Sequence, residues 1–178
     1  MKQSINWILT TIFLAILFCT SFVYFYNQKE TNKSSPTAKV EQKSEKPLPE
    51  AKLINHNSEI LSDEQLRKGK VILIFVSPNC NACLVESNFL KDLIVKRNDV
   101  RFYGVTTSGD FHKVLEASEK KFSFPTYFDA DSVLAIQLGV TKVPIKIYLE
   151  DGIIKKVWGG ATVSEDKKSE FINWLENV

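Results

Sequence analysis

The chain has 178 residues, of which 44% are hydrophobic and 25% charged, with 23 Lys and Arg against 21 Asp and Glu. This composition is globular rather than disordered. It suits one ordinary domain rather than two, and it lacks the concentrated basic excess of a dedicated nucleic-acid binder. Three cysteines are too few to staple a small secreted scaffold.

Ile5 to Tyr26 is a run of 22 uncharged residues. About 20 apolar residues cross a hydrocarbon core of about 30 Å. Trp7 stands near one end and Tyr24 and Tyr26 near the other, as aromatic residues do at membrane interfaces. The run outlasts the apolar core of a signal peptide, about 7–15 residues. Residues 1–26 are therefore read as an uncleaved membrane anchor, with a cleaved signal as the alternative. Cys19 is read as an apolar residue of that span, because the bulky Phe18 before it is unsuited to lipid attachment. Lys2 precedes the span and Lys29, Lys33 and Lys39 follow it, so the positive-inside count does not decide its orientation.

Residues 27–50 hold five Lys and four Glu among Ser, Thr and Pro. Such a segment buries too little surface to offset its ordering entropy and is expected to be a flexible linker, spanning about 27 Å root-mean-square. Residues 51–178, with 17 basic and 17 acidic side chains, form the expected domain.

Leu53-Ile54 and Ile60-Leu61 flank Asn55-His56-Asn57-Ser58, a turn composition that predicts a short hairpin. Ser62 and Gln65 make a capping box for a helix over 63–67. Val71 to Val76 is an unbroken apolar, β-branched run, as in a strand buried on both faces. Helical spacing follows from Cys80 to about Arg97, then a strand over 100–105. Asp110 is expected to cap a helix through Lys121, and Asp131 another through Leu138, stopped by Gly139. Ile145 to Leu149 alternates, which predicts a half-exposed strand. Asp151-Gly152 is a hairpin signal, Ile153 to Trp158 returns, and Ser164 starts a last helix. This order implies a mixed sheet with helices on both faces.

Cys80-Asn81-Ala82-Cys83 falls just after a buried strand, at a helix start. Unpaired N–H groups and the helix dipole there favour an anion. A Cys80 thiolate is stabilised by them, and the thiolate is the attacking species in disulfide exchange. Cys83, one turn on, can resolve a mixed disulfide. A structural zinc site needs about four ligands, and His56 and His112 sit in unrelated segments. A purely structural disulfide explains the pair but not its position. Glu86 lies three after Cys83, on a face that otherwise reads as apolar. A carboxyl there favours its protonated form and could exchange a proton with Cys83. Pro144 begins a strand, where its missing donor costs little. His112 reads as a helix-surface residue.

The segments Phe75-Val76-Ser77-Pro78-Asn79-Cys80-Asn81-Ala82-Cys83, Gly139-Val140-Thr141-Lys142-Val143-Pro144-Ile145 and Asp151-Gly152-Ile153 resemble the thioredoxin superfamily. More narrowly they resemble the membrane-anchored TlpA/ResA-like thiol-disulfide oxidoreductases, over about residues 48–178. The resemblance implies an α/β fold: a thioredoxin-like mixed sheet flanked by helices on both faces, an N-terminal hairpin extension and a central insertion at Phe124 to Asp129, after one transmembrane helix. It implies Cys80 as nucleophile, Cys83 as resolving cysteine, and Glu86 as the glutamate of a C-x-x-C-x-x-E pattern. Pro144 takes the place of a cis-proline whose loop, with Val143, meets substrate backbone, and Pro78 and Asn79 flank the same site. No cofactor beyond the Cys80–Cys83 disulfide and no metal are implied. Partners are protein thiols and disulfides, with a membrane thiol relay as electron donor. The location implied is the bacterial cytoplasmic membrane, domain outward, and the role reduction, for example of apocytochrome c cysteines. Asn79 replaces a frequent Trp, Asn81-Ala82 lacks the usual Pro, and Ser87-Asn88 replaces a frequent Pro after the Glu.

Four alternatives stay open. One is a thiol oxidase or isomerase of the same fold. A peroxiredoxin-like peroxidase would use Ser77, three before Cys80, but Leu73 stands where that pattern wants Pro. A copper-binding module would pair the cysteines with His56 or His112. A purely structural disulfide is the last.

Overall fold

The computed structural model describes residues 45–107 and 109–178. The anchor expected over 1–26, Cys19 and most of the expected linker lie outside the described residues. Among the described residues no helix is long and apolar enough to cross a membrane.

The strands are β1 Lys46–Pro47, β2 Leu53–Ile54, β3 Lys70–Phe75, β4 Val100–Thr106, β5 Thr126–Asp129, β6 Ile145–Glu150 and β7 Ile153–Gly159. They form one sheet in the order β1-β7-β6-β3-β4-β5-β2. The helices are α1 Asp63–Arg67, α2 Asn81–Lys96, α3 Phe111–Lys121, α4 Val133–Gln137 and α5 Glu165–Glu176. Central β3 runs parallel to β4 and antiparallel to β6.

Alternation along β3 divides the core between the two faces of the sheet. Val71, Leu73 and Phe75 join Leu66 of α1 and Leu134 of α4 on one face. Ile72 and Ile74 join Leu90 of α2 and Phe171 and Leu175 of α5 on the other. Burying each such side chain contributes about 1.5–3 kcal/mol. Both faces are covered, which is why the β3 sequence is apolar without a break from Val71 on.

The local signals mostly act as read. Ser62 and Gln65 form the reciprocal capping box of α1. The expected hairpin closes through an Ile54–Ile60 bridge and a bond from the Leu61 amide to the Leu53 carbonyl. Asp151 and Gly152 both take positive φ, 48° and 77°, as the tight β6–β7 turn requires.

Four expectations are corrected. The linker is shorter than residues 27–50, because Lys46-Pro47 pairs with Ile153-Ile154 of β7 and Leu48 is buried. The segment over 124–129 contains a strand, β5, which sits between β4 and β2. Its pairing partners are remote in sequence, so local pattern did not reveal it. Asp131 does not cap the helix through Leu138. Its φ is 57°, and the buried Asp129 carboxylate instead accepts from the Leu134 and Ala135 amides at 3.1 and 2.8 Å. Finally, β6 is not half-exposed. Lys146 and Tyr148 are each 1% exposed, because α2 and α5 cover the face that alternation assigned to solvent.

Candidate active site

β3 ends at Phe75, and the chain turns through Val76 to Asn79 so that Cys80 becomes the N-cap of α2. The turn is closed by the Cys80 amide donating to the Ser77 carbonyl at 3.0 Å. It is braced by Lys121 Nζ donating to the Pro78 carbonyl at 2.6 Å. Pro78 is buried, Asn79 is exposed and Cys80 is half-buried. Cys83 is fully buried, its Cα lies 5.2 Å from that of Cys80, and the two sulfurs are bonded as a disulfide. The Cys83 amide donates to Cys80 Sγ at 3.2 Å. The first turn of α2 carries no acidic residue, so nothing there offsets the positive end of the helix at Cys80. The outer sulfur is thus the one that solvent and partners reach, and the amide beside it is placed to stabilise a thiolate once the disulfide opens.

The Val143–Pro144 peptide is cis. The Val143 carbonyl oxygen stands 3.9 Å from Cys80 Sγ. The sequence-predicted group is therefore brought together: Pro78, Asn79, Cys80, Cys83, Val143 and Pro144 converge from the β3–α2 turn and the loop before β6. Beside them opens a cleft of about 150 Å³, with Phe75, Val76, Val105, Thr107, Val140 and Val143 among its lining. Sequence reading missed the Val105, Thr107 and Val140 contributions, since β4 and the loop after α4 meet β3 only in the folded sheet.

Glu86 is buried at 0% exposure, but its surroundings are not apolar as expected. Lys146 Nζ lies 2.7 Å from Glu86 Oε1. The Thr162 amide donates to Oε2 at 2.5 Å and its hydroxyl to Oε1 at 2.9 Å. Lys146 also donates to the Gly160 carbonyl at 3.3 Å and to Thr162 Oγ1 at 3.1 Å. The Gly160 amide donates to the Pro144 carbonyl at 2.9 Å. Glu86 is therefore tied through Lys146 and residues 160–162 to the cis-proline loop. Burial pulls the Lys146 ammonium below its usual range, against the opposing pull of Glu86. A lysine inside a strand that lies between two others, in a sheet with helices expected on both faces, was the signal available for this cluster.

The two histidines stand apart from this chemistry in their own contacts. His56 pairs with Glu119, and the His112 ring lies edge-on to Phe111 with centroids 4.8 Å apart.

Several solved structures share this architecture. A secreted Mycobacterium tuberculosis disulfide oxidoreductase, described as homologous to Escherichia coli DsbE, is 20% identical with a TM-score of 0.59, over 71% of this chain and 95% of that one. A Chlorobium tepidum protein described as a putative thiol:disulfide interchange protein DsbE is 15% identical with a TM-score of 0.64, over 75% and 96%. StoA from Bacillus subtilis is 20% identical with a TM-score of 0.53, over 66% and 92%. The chain has a thioredoxin-like fold. No protein-family model and no curated protein matches it. In this thioredoxin-like fold the Cys80–Cys83 pair occupies the turn between the central strand and the following helix, and the Val143–Pro144 loop meets it, with the Val143 carbonyl 3.9 Å from Cys80 Sγ.

Proposed function

We propose that the chain is a thiol-disulfide oxidoreductase that exchanges electrons with protein cysteines through Cys80 and Cys83. One observation carries the reading: a half-buried sulfur at a helix N-cap is bonded to a fully buried one a turn inside, beneath a cis-proline loop. In the reducing direction, the Cys80 thiolate attacks a substrate disulfide. One substrate sulfur leaves as a thiolate and takes a proton. Cys83, deprotonated, then attacks Cys80 Sγ, the mixed disulfide breaks, and the second substrate sulfur leaves. Two electrons have passed to the substrate, and the chain's disulfide is restored.

Val143, Pro144, Pro78 and Asn79 form the substrate-facing rim in this reading, and Glu86 acts behind the buried sulfur. The 1–26 segment, uncharged from Ile5 to Tyr26, tethers the domain to the bacterial cytoplasmic membrane on the extracytoplasmic side, within reach of a membrane thiol relay. The neutral dipeptide Asn81-Ala82 gives no extreme push toward an oxidant, which favours a mild reductant, as in cytochrome c maturation, over an oxidase or isomerase. The test is insulin disulfide reduction by the full chain in detergent with a glutathione supply. We expect turnover to fall at least 100-fold in Cys80→Ser; equal rates would exclude the reading.

A further inference from the structure

The buried cluster behind the disulfide has a member that the exchange chemistry above leaves without a task. Lys146 is 1% exposed, on a central strand, with its ammonium against a carboxylate one helical turn from Cys83. Residues three apart on a helix lie about 5–6 Å apart at Cβ. Within a protein interior, charges at such separations act strongly on each other. We propose that Lys146 is a positioning residue for thiol-disulfide exchange: its ammonium offsets the field of the Glu86 carboxylate one helical turn from Cys83 and so sets how readily a thiolate forms at the disulfide. The inference rests on the oxidoreductase reading.

The geometry supports it in two ways. The ion pair is held at several points rather than by chance contact, since Thr162 donates twice more to Glu86 and its hydroxyl accepts from Lys146. It also reaches the cis-proline loop through Gly160. The groups facing the pair are few. Cys83 lies on the same helix as Glu86, Thr162 is neutral, and the Phe171 ring of α5 lies 5.5 Å from Lys146 Nζ. Lys167 of α5 adds a like charge that acts on Lys146. When a dithiol reduces the protein, two electrons enter the Cys80–Cys83 bond, the bond breaks, and a negative charge appears on a sulfur before a proton arrives. An unpaired carboxylate there opposes that charge, and an unpaired ammonium favours it.

The test is the redox equilibrium of the full chain in detergent with reduced and oxidised glutathione, at pH 7. Glu86→Gln leaves the ammonium alone and is expected to favour the dithiol at least tenfold, a shift of about 30 mV. Lys146→Met leaves the carboxylate alone and is expected to favour the disulfide by a similar factor. The double variant returns to within threefold of wild type. Shifts of the same sign in both single variants, or shifts under threefold, overturn the proposal, since a merely structural role has no reason to change sign. If Lys146→Met fails to fold, Glu86→Gln and the double variant decide: a Glu86→Gln shift toward the disulfide or under threefold, or a double variant that does not return to within threefold of wild type, overturns the proposal. A wild-type chain that never equilibrates with glutathione overturns both this inference and the oxidoreductase reading, whereas one that equilibrates while its variants do not diverge overturns this inference alone.

Discussion

Replacing Lys146 by Met should be among the most costly single changes in the domain, and replacing its partner as well should undo most of the cost. The Lys146 and Glu86 side chains are 1% and 0% exposed, and their charged atoms are 2.7 Å apart. Removing one member of such a pair leaves a charge in a place that water does not reach, which costs about 3–5 kcal/mol. Glu86 keeps its two Thr162 donors, and bonds to a charged group contribute about 1.5–3 kcal/mol each. The loss should therefore fall near the lower end, about 3 kcal/mol. A domain is stable by about 5–15 kcal/mol, so the variant should still fold. Adding Glu86→Gln removes the stranded charge and keeps an acceptor for the Thr162 amide, and the double variant should lie within about 2 kcal/mol of wild type. Urea unfolding followed by circular dichroism gives both numbers. With a slope of about 1–3 kcal/mol per molar, the single variant's midpoint should drop by about 1–3 M. A loss below about 1 kcal/mol in Lys146→Met, or a double variant that loses the sum of the two single changes, would refute the reasoning.

Two further outcomes follow from the same structure. Asp129→Ala removes the acceptor of two buried amides at the start of α4 and should destabilise by about 1–3 kcal/mol. Hydrogen exchange should localise the loss to residues 133–137, and unchanged protection there would count against the cap. Arg97 holds the Asp99 carboxyl well below the usual carboxylate range, chiefly through a hydrogen-bonded ion pair. A carboxyl depressed in the folded state stabilises it above the unfolded pKa, near 4, and this contribution fades as pH falls through the folded value. Asp99→Asn should therefore lower the thermal midpoint at pH 7 and have much less effect near pH 2. An equal drop at both would show that the charge is not what matters.

The unbroken apolar run of β3, the capping residues Ser62, Asp110 and Ser164 and the Asp151-Gly152 turn act through neighbours a few residues away, so the sequence by itself determined them. So too did the placement of Cys80 at a helix start, since it needs only a strand that ends and a helix that begins. What lay beyond the sequence is decided by contacts between distant segments. β5 is a strand because β4 and β2 offer it partners on both sides. Asp129 rather than Asp131 caps α4 because that strand aims its carboxylate at the helix start. Lys146 reads as a solvent-facing residue in a period-two pattern, yet α2 and α5 close over it and bring Glu86 to meet it. A period along one strand records that two faces differ, but which face meets water depends on what the rest of the chain lays against it.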